Sequence, residues 1–206
     1  WMPDVFEKFF NDFGKSVSDY YQLERLDPGY QVYFGKDDFI KIGDNLDKIY
    51  DVFEGVERGS SEKLKKFIRK AAENYKIAIK DLVYRPGLSP LELITPVTLK
   101  KIGSFFSNVK KEVTKDFKEP KLTQILQFPV LFLGAKPADT PAFYSFMNFA
   151  DFGLGTWHPK NGMYSIVKGM VSLAESQGVK IHLNSAVDEI LLEKNKAIGI
   201  KIKNKI

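Results

Sequence analysis

The residue types that usually carry chemistry are sparse in this 206-residue chain, which has no cysteine and only two histidines, His158 and His182. A thiolate nucleophile, a disulfide framework and a thiolate or histidine-rich metal centre are therefore excluded. The dinucleotide fingerprint G-x-G-x-x-G is absent, because Gly153-Leu154-Gly155 begins like one but lacks the third glycine. What remains is carboxylates, lysines, aromatic rings and the backbone itself. All but four of the 31 basic residues are lysines, so the arginine forks that read bases and phosphates are missing and nucleic acid is not an expected partner. The formal net charge of +5 suits an anionic lipid surface better. Aromatic residues make up 14% of the chain, and 17 of them are Phe, which points to a large apolar core or a greasy substrate channel.

The elements that must position these groups fall into three textures. Pro3 and Asp4 open a helix with Val5, Phe6, Phe9, Phe10 and Phe13 on one face. Gln22–Leu26, Tyr30–Phe34 and Asp37–Ile42 are short and β-rich, separated by Asp27-Pro28-Gly29 and Gly35-Lys36, and read as an antiparallel meander. From Asp44 to about Asp151 the pattern is helical, with segments expected at Asn45–Glu57, Ser60–Val83, Pro96–Phe117, Lys121–Phe128 and Pro141–Asp151. Beyond Gly153 the period changes. A strand at Leu154–His158, a helix at Gly162–Gln177, strands at Lys180–Leu183 and Ala186–Glu193, and a hairpin at Lys194-Asn195-Lys196 have the texture of an α/β nucleotide-binding domain. With 44% hydrophobic and 28% charged residues the chain is globular material, and its longest apolar run, Phe128–Leu133, is too short to span a bilayer. Trp1, with Met2 second and no basic and apolar leader, reads as the interior of a longer polypeptide.

Two stretches carry a resemblance. The first is Trp1-Met2-Pro3-Asp4-Val5-Phe6-Glu7-Lys8-Phe9-Phe10, continuing through Tyr20-Tyr21-Gln22-Leu23 to Leu26-Asp27-Pro28; the second is His158-Pro159-Lys160-Asn161-Gly162-Met163, with Val167-Lys168-Gly169-Met170, Gly178 and Ile181-His182-Leu183-Asn184 through Ile190. In order and separation they resemble the carotenoid desaturases of the bacterial phytoene-desaturase type, flavoproteins of the wider amine-oxidase-like group. The resemblance implies FAD as cofactor and a fold of the α/β class, α+β within this span: a helical and antiparallel-sheet substrate domain inserted into an FAD-binding α/β domain whose N-terminal Rossmann unit is missing. It implies that residues 1–20 connect from that unit, 21–158 form the substrate and membrane-facing domain, and 159–206 return to the FAD-binding domain.

The resemblance also assigns roles. Lys160, Asn161, Gly162 and Met163 match the turn that precedes a helix facing the flavin. A helix N-terminus there offers unpaired N–H groups and partial positive charge to a ring that becomes anionic on reduction. Asn161 stands where the family has the first glycine of a pair, and asparagine tolerates positive φ. Val187 falls on the strand whose backbone meets the adenine. Glu92, in Ser89-Pro90-Leu91-Glu92, stands where a carboxylate has been proposed as acid or base, and its apolar neighbours Leu88, Leu91, Leu93 and Ile94 would raise its pKa. Phe128, Phe132, Phe143, Tyr144 and Trp157 are candidate walls for a carotenoid or related isoprenoid. Leu99, Ile102, Phe106, Val109 and Val113, flanked by Lys100, Lys101, Lys110, Lys111 and Lys115, form a basic amphipathic stripe that could lie on a bilayer. The expected protein is thus a cytoplasmic, peripheral membrane oxidoreductase that desaturates phytoene or a relative. A carotenoid isomerase or ketolase on the same scaffold, and a non-catalytic lipid-binding module, stand as alternatives. Without the fingerprint, these residues alone are expected to hold FAD weakly and not to turn over.

Overall fold

The computed structural model describes residues 2–86, 88–89, 95–96 and 102–202, in two compact units that divide between Gly162 and Met163. The first unit starts with α1 (Pro3–Asn11), whose proline at the first turn needs no amide partner. Tyr75 ties it down by donating its hydroxyl to both Asp4 carboxylate oxygens, at 2.9 and 2.8 Å. Next come β1 (Leu23–Arg25), β2 (Tyr30–Tyr33) and β3 (Phe39–Ile42). β2 and β3 form the expected hairpin, with Tyr30 opposite Ile42 and Tyr33 opposite Phe39. β1 does not join them. It pairs antiparallel with β4 (Trp157–Pro159), about 130 residues later, Leu23 opposite Pro159 and Arg25 opposite Trp157. The three-strand meander read from the sequence is therefore corrected to two separate pairs. Pro28 has no N–H to give a ladder, and the backbone groups beside β1 are used elsewhere: Leu26 N–H donates to Thr156 O, and Lys160 N–H to Gln22 O.

The helices pack on the β2–β3 hairpin. In α2 (Leu46–Val56), Asn45 caps the first turn by accepting the Lys48 N–H, and Ile49 and Phe53 face inward. α3 (Ser60–Ile77) buries Leu64, Phe67, Ile68 and Ala71 at the spacing of one helical face, then continues as a π-helical turn, Ala78–Leu82. In the described part of the long helix expected over Pro96–Phe117, α4 (Ile102–Phe106) and α5 (Val109–Asp116) are separate, broken where Asn108 caps α5 by accepting the Lys111 N–H. After α6 (Pro120–Gln127) the chain tightens into a 3₁₀ turn, Phe128–Leu133. The helix expected over Pro141–Asp151 is a series of short 3₁₀, α and π turns ending at Gly153. Phe53 sits centrally, with Phe117 and Phe152 edge-on to it at 6.1 and 6.0 Å. Each buried ring contributes about 2–3 kcal/mol.

The second unit holds α7 (Tyr164–Ser176), which ends at Gly178 with φ +83°, and the hairpin of β5 (Val187–Glu193) and β6 (Lys196–Ile202). Lys194 and Asn195, both at positive φ, make the two-residue turn. Residues 180–183 carry no ladder partner among the described residues, so the β-α-β alternation read there is corrected to a helix followed by a hairpin.

One carboxylate ties three helices together. Glu57, at the end of α2, binds the Lys63 ammonium of α3 at 2.7 Å and accepts the Lys118 and Glu119 N–H groups ahead of α6, both at 2.9 Å. Desolvation pushes its carboxyl up, but these three donors outweigh that and hold it at about 2, against an ordinary 4.5. Since the folded-state pKa is depressed, the stabilisation is complete above pH 4.5 and disappears as pH falls through about 2. We expect Glu57→Gln to cost about 2 kcal/mol at pH 7, and urea titrations from pH 7 to 2 to show the gap from the unsubstituted chain closing across that window.

Candidate functional site

The β1–β4 pair carries a ledge. After Pro159, which is buried, Lys160 and Asn161 are exposed and Gly162 turns the chain with φ +85°. Lys160 N–H is held by Gln22 O at 2.9 Å and Gly162 N–H by Pro159 O at 2.8 Å. A Cβ on Gly162 would meet nothing within 4 Å, so its backbone is open to approach. Two small cavities adjoin the ledge: one of about 400 Å³ with Glu7, Tyr21, Leu23 and Trp157 among its walls, and one of about 220 Å³ lined by Gln22, Leu23, Glu24 and Lys160. The Trp157 indole donates to Leu154 O at 2.8 Å, and the Arg25 guanidinium lies 5.8 Å from its ring. Gly153 and Gly155, the incomplete fingerprint, are packing glycines. A Cβ would fall 2.6 Å from the Phe149 ring in the first case and 2.5 Å from Arg25 Nε in the second. The Tyr21 hydroxyl and Arg25 Nε are buried without a hydrogen-bond partner among the described residues, and the sequence assigned neither a role at the site.

Met163 starts the second unit, half of its surface or more exposed, at an N-cap position where no side chain closes the first turn of α7. Val187 opens β5 opposite Ile202 and is exposed.

A separate apolar groove of about 600 Å³ lies between the β2–β3 hairpin and the α6 end, with Tyr30, Val32, Tyr33, Ile125, Phe128 and Leu131 among its walls. The Phe128 ring stands 6.0 Å from Tyr30 and 5.4 Å from Phe132. The five candidate wall residues therefore occupy different places. Phe128 and Phe132 are at the groove, Trp157 is at the ledge, Phe143 is buried and stacked on Phe105 at 4.8 Å, and half-buried Tyr144 packs against the main core. Glu92 lies outside the described residues, as do Leu99, Lys100 and Lys101. The basic amphipathic stripe divides on the part described: Phe106 is 85% exposed, and the two valines that follow it are covered. Val109 and Val113 are 1% and 0% exposed, so the apolar face of α5 is taken by the protein's own core, and Lys70 of α3 pairs with Glu112 across it.

Behind the groove is a pair that the sequence did not reveal. The Tyr30 hydroxyl donates to Asp151 Oδ2 at 2.6 Å, from β2 to the π turn Phe149–Gly153. Burial pushes the Asp151 carboxyl up to about 6, although the tyrosine hydrogen bond pulls it down. Burial first, and then the carboxylate, push the Tyr30 phenol well above its usual range. Local periodicity could not have found a contact between residues 121 positions apart.

Comparison with known proteins now adds identity to this geometry. Residues 47–205 match the family described as flavin containing amine oxidoreductase. The chain is 38% identical to a carotenoid 3,4-desaturase of Haloarcula japonica over 92% of its own length and 39% of the relative's. It is 29% identical to a zeta-carotene-forming phytoene desaturase of Myxococcus xanthus, over 98% of the chain and 39% of that protein. Against a 4,4'-diapophytoene desaturase of Staphylococcus haemolyticus it is 27% identical over 100% of the chain and 42% of the relative. The chain thus spans about two fifths of the length of these curated relatives.

The Asp151 carboxyl yields a signed prediction. Because its folded-state pKa lies above the ordinary 3.8, the folded state is favoured while the group is protonated, and this stabilisation is lost as pH rises through about 6. At pH 7.5 the ionised group costs up to about 3 kcal/mol. Asp151→Asn, which keeps an acceptor for Tyr30, should therefore raise stability at pH 7.5, with the advantage shrinking toward pH 4.5 in thermal or urea melts at both pH values.

Proposed function

The chain belongs to the flavin containing amine oxidoreductase family, and on that premise we propose that it is the substrate-facing part, with the adjoining return to the flavin domain, of an FAD-dependent carotenoid desaturase. The observation that carries the reading is the 38% identity to a carotenoid 3,4-desaturase across 92% of the chain. The arrangement proposed is a helical and antiparallel-sheet substrate domain at 21–158, connected through 1–20 and 159–206 to an FAD-binding α/β domain.

The residues at the ledge fit one edge of such a cofactor. Gly162 presents backbone that no Cβ obstructs, and α7 starts without a side-chain cap, which leaves its first N–H groups for a ligand. Lys160, Asn161, Gly162 and Met163 would hold the ring system, and the Val187 backbone the adenine. The sequence has no diphosphate-binding fingerprint, so the diphosphate would be held by other residues of the full-length flavoprotein. FAD, when bound, supplies a two-electron acceptor for hydride.

The remainder is the work of this chain's side chains. Removing hydrogen from a polyene takes a hydride from one carbon and a proton from its neighbour, and the electron pair left behind becomes the new double bond. The protein must hold the chain in line, exclude water and receive the proton. We assign proton acceptance to Glu92 and chain positioning to Phe128 and Phe132, the two of the five candidate aromatic residues that stand at the groove. The substrate proposed is phytoene or a related isoprenoid. The place proposed is the cytoplasmic membrane surface, and no helix among the described residues is long and apolar enough to cross a membrane.

Full-length protein supplied with FAD and phytoene in detergent should give products with longer conjugation, each step losing two hydrogens by mass. Glu92→Gln should lower kcat by about 100-fold or more with KM little changed. Products of unchanged mass would replace this reading with an isomerase, and products that gain oxygen with a ketolase. Gly162→Ala should weaken FAD retention while costing the fold only about 1–2 kcal/mol for its positive φ.

A further inference from the structure

Apolar side chains are exposed at several places in the first unit, Leu88 and Phe106 most of all at 86% and 85%, and one group of them lies beside the groove. Leu131, Phe132 and Leu133 of the 3₁₀ turn are 60%, 51% and 45% exposed, while Pro129 and Val130 of the same turn are buried and fix it to the core. Across the groove, Tyr33 and Phe39 at the turn end of the β2–β3 hairpin are 64% and 43% exposed, with their rings 5.6 Å apart. Tyr33 and Leu131 also line the groove, so the apolar rim and its walls are continuous.

Charge is distributed around this rim in a matching way. Residues 122–135 contain no ionisable side chain, and Lys121 and Lys136 bracket them. The Lys121 ammonium lies 5.5 Å from the Phe34 ring and pairs with Asp38 at 2.6 Å, and the Lys41 ammonium lies 5.8 Å from the Phe39 ring. Lys36 and Asp37 complete the hairpin loop, and Asp139 lies past Lys136. An uncharged apolar lip with lysine stems along its edges matches a lipid interface, where ammonium groups reach the phosphates while rings and aliphatic chains enter the acyl boundary.

We propose that the Phe128–Leu133 turn and the turn end of the β2–β3 hairpin form a membrane-inserting lip, and that the groove between them opens into the acyl layer of a phospholipid bilayer. The inference rests on the desaturase reading in one respect, since a lipid-dissolved substrate requires the protein to meet the bilayer. It moves the contact away from the lysine-rich α5, whose apolar face is buried, and gives the groove the role of portal for a linear hydrocarbon chain. A rigid lip suits this task. Its inner residues, Pro129 and Val130, hold it against the core when the outer ones are desolvated.

The absence of native cysteine allows a single fluorophore to be placed at will. Phe132→Cys and Phe39→Cys, each labelled with bimane, should shift to the blue and be quenched by bromine-labelled acyl chains on phosphatidylcholine/phosphatidylglycerol vesicles, whereas Lys115→Cys on α5 should do neither. The L131E/F132E double variant, checked for folding by circular dichroism, should lose vesicle partitioning by roughly tenfold to 100-fold, and the α5 variant K110E/K111E/K115E should retain most of it. Bound protein with no quenching at either lip position would overturn the proposal, as would lip labels that become protected only through self-association in lipid-free solution. Turnover of detergent-dispersed phytoene by the full-length protein judges the desaturase reading separately. Turnover without quenching removes the lip alone, and quenching without turnover removes the desaturase reading and leaves the lip.

Discussion

The antiparallel pairing of Leu23–Arg25 with Trp157–Pro159 closes a loop that contains α2 to α6 and the β2–β3 hairpin. Closing a loop of about 130 residues costs about 4 kcal/mol in chain entropy before anything is gained. A few ladder hydrogen bonds, at about 1 kcal/mol each, scarcely offset that. The pairing persists because the helical core between the strands, centred on Phe53 with Phe117 and Phe152 around it, brings the two ends of the loop together. The ledge at Lys160–Gly162 is thus positioned by burial elsewhere. A defect in the core would reach the ledge as lost strand pairing, without touching any residue on it.

The same core separates two kinds of surface in the first unit. The ledge is polar and backbone-rich, with an open glycine, an exposed lysine and asparagine, and close by the buried Tyr21 hydroxyl and Arg25 Nε, which have no hydrogen-bond partner among the described residues. The groove is mostly apolar, with Gln31, Gln124 and Gln127 among its walls and the Tyr30–Asp151 pair held behind it. A flat, redox-active ring needs the first kind of surface, since charge develops on it and must meet dipoles. A long isoprenoid needs the second, since it offers no atom to hydrogen-bond. Keeping the two apart spares the hydrocarbon route from unsatisfied polar groups, each of which would cost on the order of 1–3 kcal/mol on desolvation.

Much of this was legible in the sequence wherever one element decided the outcome. The inward stripe of α3, with Leu64, Phe67, Ile68 and Ala71, follows from helical spacing alone, as does the β2–β3 hairpin from two β-rich runs around Gly35-Lys36. The matches at Pro159–Met163 carried the family itself. Other features depended on partners that local patterning cannot name. β1 looked like the first strand of a meander and found its partner at the far end of the unit. The stripe through Val109 and Val113 correctly marked an apolar face, but periodicity says only that a face is apolar, not whether lipid or the protein's own core will cover it. Phe128–Leu133 was legible as an apolar run. That its two ends split between buried Pro129 and Val130 and exposed Leu131 to Leu133 follows from the 3₁₀ geometry, which turns neighbouring side chains in different directions.

Asp151 shows where foldability and local chemistry diverge. A carboxylate desolvated among Phe149, Phe152 and the helical core, with a tyrosine hydroxyl as its described hydrogen-bond partner, is a poor choice for stability at neutral pH, where it stays largely ionised against the pull of burial. An asparagine or glutamine would cost less, and a hydrophobic pair of similar volume could cost less still. What the carboxylate adds is a short, charge-assisted bond that fixes the Tyr30 hydroxyl. With that end fixed, the ring has one orientation against Phe128, and the phenol hydroxyl is turned to the carboxylate behind the groove wall. The π turn that carries Asp151 belongs to the same arrangement, because its wider winding places the side chain off the register a regular helix would give. Stability given up at this position is thus converted into definition of the groove, a surface that offers a long apolar molecule an extended wall.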